Sequence, residues 1–157
     1  MNIRVAQRQD MASIQALYQV LFQQMAQYEP EYQQAASQDI GFLEAVIAQK
    51  DSFMAYIAEV EGDVKGVIIL QKQQTLPYNC LVPKNSCFIL DVVVSADMRG
   101  QGLGHALIQQ AKQWAQAQGV HYLELSVLAK NERAMALYVK EGFTSYSTLM
   151  RLPLAPL

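Results

Sequence analysis

The chain is poor in several residue types, and each shortage excludes a class of protein. Its two cysteines, Cys80 and Cys87, are too few for a disulfide scaffold and lack the C-x-x-C spacing of a redox or zinc motif. Its two histidines, His105 and His121, make no pair at ligand spacing such as H-x-x-x-H, so no metal is expected. Charged residues are only 17% of the chain and the net charge is −2, which argues against the basic face of a nucleic-acid binder. No apolar run approaches the ~18 residues of a membrane span. The opening MNIRVAQRQDM lacks the apolar core of a signal peptide. A soluble, cytoplasmic protein without a membrane or nucleic-acid partner is therefore expected.

What is present suits a folded domain. At 52% hydrophobic the chain is not disordered. A length of 157 residues predicts one domain over 1–157, burying roughly 68–70% of its unfolded surface. Glutamine is abundant in the first half and again in 101–118. Ile14, Leu17, Tyr18, Leu21, Phe22 and Met25 nevertheless keep helical spacing, so the glutamines read as the solvent face of a helix.

The pattern predicts a strand at 2–6, a helix from an Asp10 cap to Tyr28 broken before Pro30, and a second helix over Asp39–Lys50. A hairpin follows, Phe53–Val60 and Val64–Lys72 around Glu61-Gly62-Asp63, then a proline-containing loop over 73–86. Cys87–Val94 is a nearly continuous apolar run, as in a strand buried on both faces. Beyond it the expected order is helix Leu103–Gln118, strand Val120–Val127, helix Asn131–Glu141 and a last strand over 143–152. Such alternation predicts an α/β (α+β) sheet with helices packed on its faces.

The segment Met98-Arg99-Gly100-Gln101-Gly102-Leu103-Gly104-His105 follows the apolar strand and opens a helix. Backbone N–H groups and the helix dipole make an anion site there, and glycines let a phosphate approach closely. The dinucleotide fingerprint G-x-G-x-x-G fails on His105 and Leu107, and a Walker A loop fails on His105-Ala106-Leu107. What remains, Arg99-x-x-Gly102-x-Gly104, resembles the acetyl-CoA pyrophosphate loop [QR]-x-x-G-x-[GA] of the GCN5-related N-acetyltransferase (GNAT) family. Downstream, Asn131-x-x-Ala134-x-x-Leu137-Tyr138-x-x-x-Gly142-Phe143 is similar to a second signature of that family, at the expected distance and after another strand.

The resemblance covers residues 86–143 and implies a mixed, mostly antiparallel sheet with a splayed parallel strand pair and about four helices. It implies acetyl-CoA as co-substrate, its pyrophosphate on the amides of Arg99, Gly100, Gln101, Gly102, Leu103 and Gly104. The pantetheine arm would lie along the backbone of Val92, Val93 and Val94, with a main-chain N–H near Val93 polarising the thioester carbonyl. Asn131, Ala134 and Tyr138 would also line the cofactor site, Tyr138 acting as general acid to the CoA sulfur. Many relatives carry a Glu base near the position of Leu90. Asp91, beside it, is the only charge in Cys87–Val94 and the base candidate here, with Glu124 or water as alternatives. An acyl-cysteine route through Cys80 or Cys87 is not expected, because neither has a nearby sequence partner.

The acceptor pocket implied by the family falls on residues 25–40 and 73–86. Tyr28, Glu29, Tyr32 and Tyr78 lie there, an acidic and aromatic set suited to a small cationic amine through charge and cation–π contact. The expected activity is acetyl transfer to a primary amine of a small molecule. Protein or peptide acetylation, and non-catalytic acyl-CoA binding, stand as alternatives. The apolar last strand, with Tyr146, Leu149, Met150 and Leu152, suits pairing across a homodimer.

Overall fold

The structure, a computed structural model, describes residues 1–156. The chain runs through strand β1 (Asn2–Val5), helices α1 (Met11–Tyr28) and α2 (Ile40–Ile47), and strands β2 (Phe53–Val60), β3 (Asp63–Gln74) and β4 (Asn85–Val94). Helix α3 (Leu103–Ala117), strand β5 (Tyr122–Glu124) and helix α4 (Glu132–Lys140) complete it. The strands form one sheet in the order β1-β2-β3-β4-β5, antiparallel throughout except for the parallel pair β4–β5. This is the mixed α/β architecture expected from the sequence. No helix among the described residues is long and apolar enough to cross a membrane.

Local chemistry explains most element boundaries. The β2–β3 hairpin turns on Glu61 and Gly62, with φ of 51° and 84°, the pair of left-handed residues that a two-residue turn needs to match strand twist. Asp39 caps α2, its carboxylate accepting the Phe42 N–H at 2.8 Å. Asp10 precedes α1, as expected, but its carboxylate does not cap that helix. It accepts the Gln7 N–H at 2.7 Å and two bonds from the Arg4 guanidinium at 2.8 and 2.9 Å, and Arg4 also reaches Glu59. The bidentate pair ties β1 to the start of α1, and it holds the nearly buried Asp10 well below its ordinary pKa.

The sheet has a core on each face. Ile14, Leu17 and Tyr18 of α1 and Leu43 and Val46 of α2 pack on Ile57, Val67, Ile69 and Val93. Leu103, Leu107, Ile108 and Ala111 of α3 pack on Ile68, Leu70, Cys87 and Ile89. Each of the Ile, Leu and Val side chains among these contributes roughly 1.5–3 kcal/mol by leaving water.

The structure differs from expectation in two places. Strand β5 is three residues long rather than Val120–Val127, because β4 runs beside it only over Ser86–Phe88 and its outer side has no neighbour. The expected strand at 143–152 does not form. Beyond Phe143 the chain is exposed and without regular structure, and no ladder hydrogen bonds reach it among the described residues.

Candidate active site

The site begins where β4 ends. A single 3-10 turn, Ala96–Met98, leads into the glycine loop. The turn is stiffened by bonds to Asp97 from Ser95 Oγ at 2.7 Å and from Lys65 Nζ at 3.0 Å. Gly100 and Gly102 then take left-handed φ of 74° and 87°. A Cβ on either would meet nothing within 4 Å, so the backbone conformation, not crowding, calls for glycine there. Gly104 differs: a Cβ would come within 3.0 Å of Leu137 on α4, so its absence lets the two helices approach.

None of the backbone N–H groups of Arg99 through His105 has a protein partner among the described residues. A run of unpaired donors leading into a helix N-terminus fits a pyrophosphate. The Arg99 side chain is not part of this cradle, since its guanidinium turns back to donate to Gln24 of α1 at 3.1 Å.

Next to the loop, β4 and β5 part. They pair only over Ser86–Phe88 with Tyr122–Glu124, which leaves Ile89–Val94 without a strand on that side. The antiparallel ladder fixes which groups face the opening. The Ser95 N–H donates to Lys65 O at 2.8 Å, so by alternation Val93 bonds across to Val67 of β3. The backbone groups of Val92 and Val94 therefore point into the split. The Val93 amide, at which the sequence placed the polarising N–H, is instead taken up by the ladder to β3.

A β-bulge decides where Asp91 goes. The β3–β4 register shifts between Ile69 and Leu70, and Leu90 has no partner opposite it. Strict alternation would send Leu90 and Asp91 to opposite faces. With the extra residue, Leu90 packs in the α1 core and Asp91 also meets α1, where the Tyr18 hydroxyl donates to its Oδ2 at 2.7 Å. Tyr18 is fully buried. Burial pushes the Asp91 carboxyl up to about 6, against the opposing effect of the Tyr18 bond. Tyr138 on α4 is raised to about 12, by burial first and then by the charge of Asp91. The fold thus brings Asp91 and Tyr138 into electrostatic range, one poised to accept a proton near neutral pH and the other holding its own.

Tyr138 stacks edge-on against Phe143 with centroids 5.9 Å apart. Asn131 is the cap of α4 rather than a residue within it: its Oδ1 accepts the Ala134 N–H at 3.2 Å. At the other end of α4, Glu141 binds Gln109 at 2.9 Å and Lys112 at 3.1 Å, and it contacts His105, locking the helix to α3 behind the glycine loop. Cys80 is exposed, and Cys87 is fully buried with its thiol pushed up to about 11 by that burial, a poor state for a nucleophile. Glu124 is exposed on the edge strand. Among the described residues no group of three or more His, Cys, Asp or Glu is placed to hold a metal ion.

The acceptor candidates divide. Tyr28, Glu29 and Tyr32 sit together at the end of α1, where Glu29 pairs with Lys130 at 3.3 Å and the Arg151 guanidinium lies 4.5 Å from the centre of the Tyr32 ring. Tyr78 is exposed on the separate 75–84 loop, and no hydrogen bond links it to the others among the described residues. The residue that sequence reasoning missed is Tyr18. Its position on an apolar helix face read as core, and only its hydroxyl, which needs a partner when buried, hinted at more.

Comparison with known proteins agrees with this fold. The profile of the Acetyltransferase (GNAT) family matches residues 14–143. The chain belongs to the GNAT family. Among GNAT relatives, the uncharacterized N-acetyltransferase YhfO of Bacillus subtilis is 31% identical over 146 residues, covering 91% of this chain and 89% of its own. Mouse N-acetyltransferase family 8 member 3 is 31% identical over 107 residues, and the match spans 65% of this chain and 46% of that protein. The chain thus spans under half the length of that mouse relative. Among solved structures, a mutant of the BH1408 protein from Bacillus halodurans superposes with a TM-score of 0.94 at 22% identity, covering 99% of this chain and all of that one. The aminoglycoside N-acetyltransferase AAC(6')-Iy in complex with CoA gives 0.75 at 15% identity, covering 99% and 100%. At these identities the structures attest the GNAT fold alone.

Proposed function

We propose that this GNAT protein is an acetyl-CoA-dependent N-acetyltransferase acting on the primary amine of a small molecule. The observation that carries the reading is that β4 parts from β5 just before a loop of unpaired amides, and that this stretch of β4 carries Asp91, whose charge is felt by Tyr138. Acetyl-CoA, when bound, supplies a thioester carbonyl for direct attack by a neutral amine.

The chain's own residues have four tasks. The amides of Arg99 through Gly104 hold the pyrophosphate. The backbone of Val92 and Val94 aligns the pantetheine arm, and one of their N–H groups polarises the carbonyl as a one-donor oxyanion hole. Asn131, with its Oδ1 engaged at the helix cap, has its amide N–H₂ to offer the same arm. Asp91 takes the proton that the acceptor ammonium must lose, and Tyr138 donates to the departing sulfur. A phenol held at about 12 stays protonated across the working pH range, so it stabilises a thiolate by donation.

The acidic and aromatic residues Glu29 and Tyr32 at the end of α1, which here engage the chain's own Lys130 and Arg151, would suit a small cationic acceptor that displaces them, and the aminoglycoside enzyme among the fold neighbours is consistent with it. The first test is a thermal melt with acetyl-CoA beside NAD and ATP. At 100 times its dissociation constant a ligand adds about 2.7 kcal/mol, a rise of roughly 5–10 °C at this length. No shift with acetyl-CoA, in protein shown by mass spectrometry to carry none, overturns the cofactor assignment. A panel of polyamines, aminoglycosides and amino acids against peptide N-termini then tests the acceptor, and turnover confined to the peptides replaces the small-molecule reading. Tyr138→Phe is expected to lower kcat by about 10²-fold or more while leaving acetyl-CoA binding within a few-fold. Unchanged kcat removes its role as acid.

A further inference from the structure

The end of α1 is met by cations from two other elements. Arg99 leaves the glycine loop and donates to Gln24 at 3.1 Å, and Lys130, just before α4, pairs with Glu29 at 3.3 Å. Gln24 and Glu29 are about one and a half helical turns apart, so both cations reach the same stretch of α1. Arg133 stands close by, in the first turn of α4. Burial first, and then the charge of Arg133, push the Arg99 guanidinium below its ordinary pKa, with Tyr28 opposing.

These two arginines lack an acid. No ion pair among the described residues includes Arg99 or Arg133, and Glu29 is already taken by Lys130. The nearby acids in sequence, Glu31 and Glu132, are exposed and make no ion pair either. Two guanidiniums in range of each other without a counterion repel, and an anion placed between them relieves that repulsion. A carboxylate suits them by shape, because each planar fork can donate two parallel N–H bonds to it. We infer that the acceptor carries a carboxylate beside its primary amine: it is an amino acid, held by that carboxylate between Arg99 and Arg133.

The inference rests on the acetyl-transfer proposal above and narrows its acceptor. An ammonium that displaces Lys130 from Glu29 still meets the two guanidiniums, which repel a polyamine and attract a zwitterion. The cofactor's phosphates fit them less well. The unpaired amides of the loop already suit a pyrophosphate, whereas the Arg99 side chain leaves that loop for α1. The reaction is otherwise unchanged. The amine nitrogen bonds the acetyl carbon as the C–S bond breaks; of the two protons the ammonium loses, one leaves with the CoA thiol and one goes to solvent through Asp91. The carboxylate is a handle and takes no part in the transfer.

Matched acceptors that differ only in the carboxylate test this: tyrosine against tyramine, lysine against cadaverine, and histidine against histamine, each with acetyl-CoA. In at least one pair the amino acid is expected to be better by about 10–100-fold in kcat/KM, the range lost with a hydrogen bond to a charged group. Arg133→Gln, at an exposed position, is expected to raise the KM for that amino acid about 10-fold, with kcat and the acetyl-CoA dissociation constant within a few-fold. Amines equal to or better than their amino acids in every pair overturn the inference and leave acetyl transfer standing. So does an Arg133→Gln variant that loses affinity for acetyl-CoA instead, which would give the guanidiniums to a cofactor phosphate. Acetyl-CoA bound, with no amino acid of the set turned over or bound by calorimetry in the CoA complex, also overturns it. Failure to bind acetyl-CoA at all overturns both proposals together.

Discussion

In the proposed mechanism Asp91 takes a proton, and its one direct hydrogen-bond partner, Tyr18, sets how readily it does so. The groups facing it are phenols: Tyr18 from α1, which bonds it, and Tyr138 from α4, which feels its charge. No cation is among the influences on its pKa, so burial keeps the carboxyl near 6 while the Tyr18 bond pulls it down. Removing that bond must raise it. Tyr18→Phe, which keeps the ring that fills the core beside Phe22, is expected to shift the acidic limb of the kcat/KM profile upward from about pH 6. At saturating pH, where Asp91 is ionised in both proteins, kcat should recover to within a few-fold. A limb that stays in place, or a uniform loss at every pH, would show that Tyr18 only packs the core. A shifted limb with kcat recovered is the result that would make Tyr18 a positioning residue acting through Asp91.

At the scale of elements, the glycine loop and the first turn of α3 work as one donor surface, and the loop's backbone conformation makes it so. Because a Cβ at Gly102 would meet open space, Gly102→Ala tests conformation without a clash. Holding alanine at a φ of 87° costs about 1–2 kcal/mol, lowering the melting temperature by roughly 2–8 °C. Acetyl-CoA affinity should fall more than the loss in stability alone implies, because the amides on either side turn with the loop; calorimetric titration checks this. Much of this element was legible beforehand, since a glycine run between an apolar strand and an amphipathic helix has few physical readings. The hairpin, α1, α3 and α4 were legible for the same reason, with periodicity and turn chemistry in agreement. The bulge opposite Ile69 was not. It is one extra residue in a run of apolar ones, where a register shift leaves no mark on composition, and it puts Leu90 and Asp91 on the α1 side together. The C-terminal strand was misread because its pattern reports strand-forming tendency and not whether a ladder forms; among the described residues none reaches 144–156.

For the whole molecule, the question is whether Asp91 is retained for stability or despite it. A structural carboxylate of the Asp10 kind has a folded pKa below its unfolded value, so the stability it contributes is present at neutral pH and lost as pH falls through the folded value. Asp91 runs the other way. Its pKa rises from 3.8 unfolded to about 6 folded, so the ionised form opposes folding above pH 6, and that opposition fades as pH drops from about 6 toward 4. Two units correspond to a cost of up to about 3 kcal/mol at neutral pH. Asp91→Asn keeps an oxygen for the Tyr18 hydroxyl and removes the charge. It is therefore expected to melt higher than wild type at pH 7.5, by several degrees, with the gap closing toward pH 5. The same variant should lose about 10²-fold or more in kcat with acetyl-CoA binding intact. Stability gained where activity is lost is the signature of a group kept for its chemistry. Paired melts and rate measurements on the one variant decide it, and an Asn variant less stable than wild type at pH 7.5 would make Asp91 a structural partner of α1 instead.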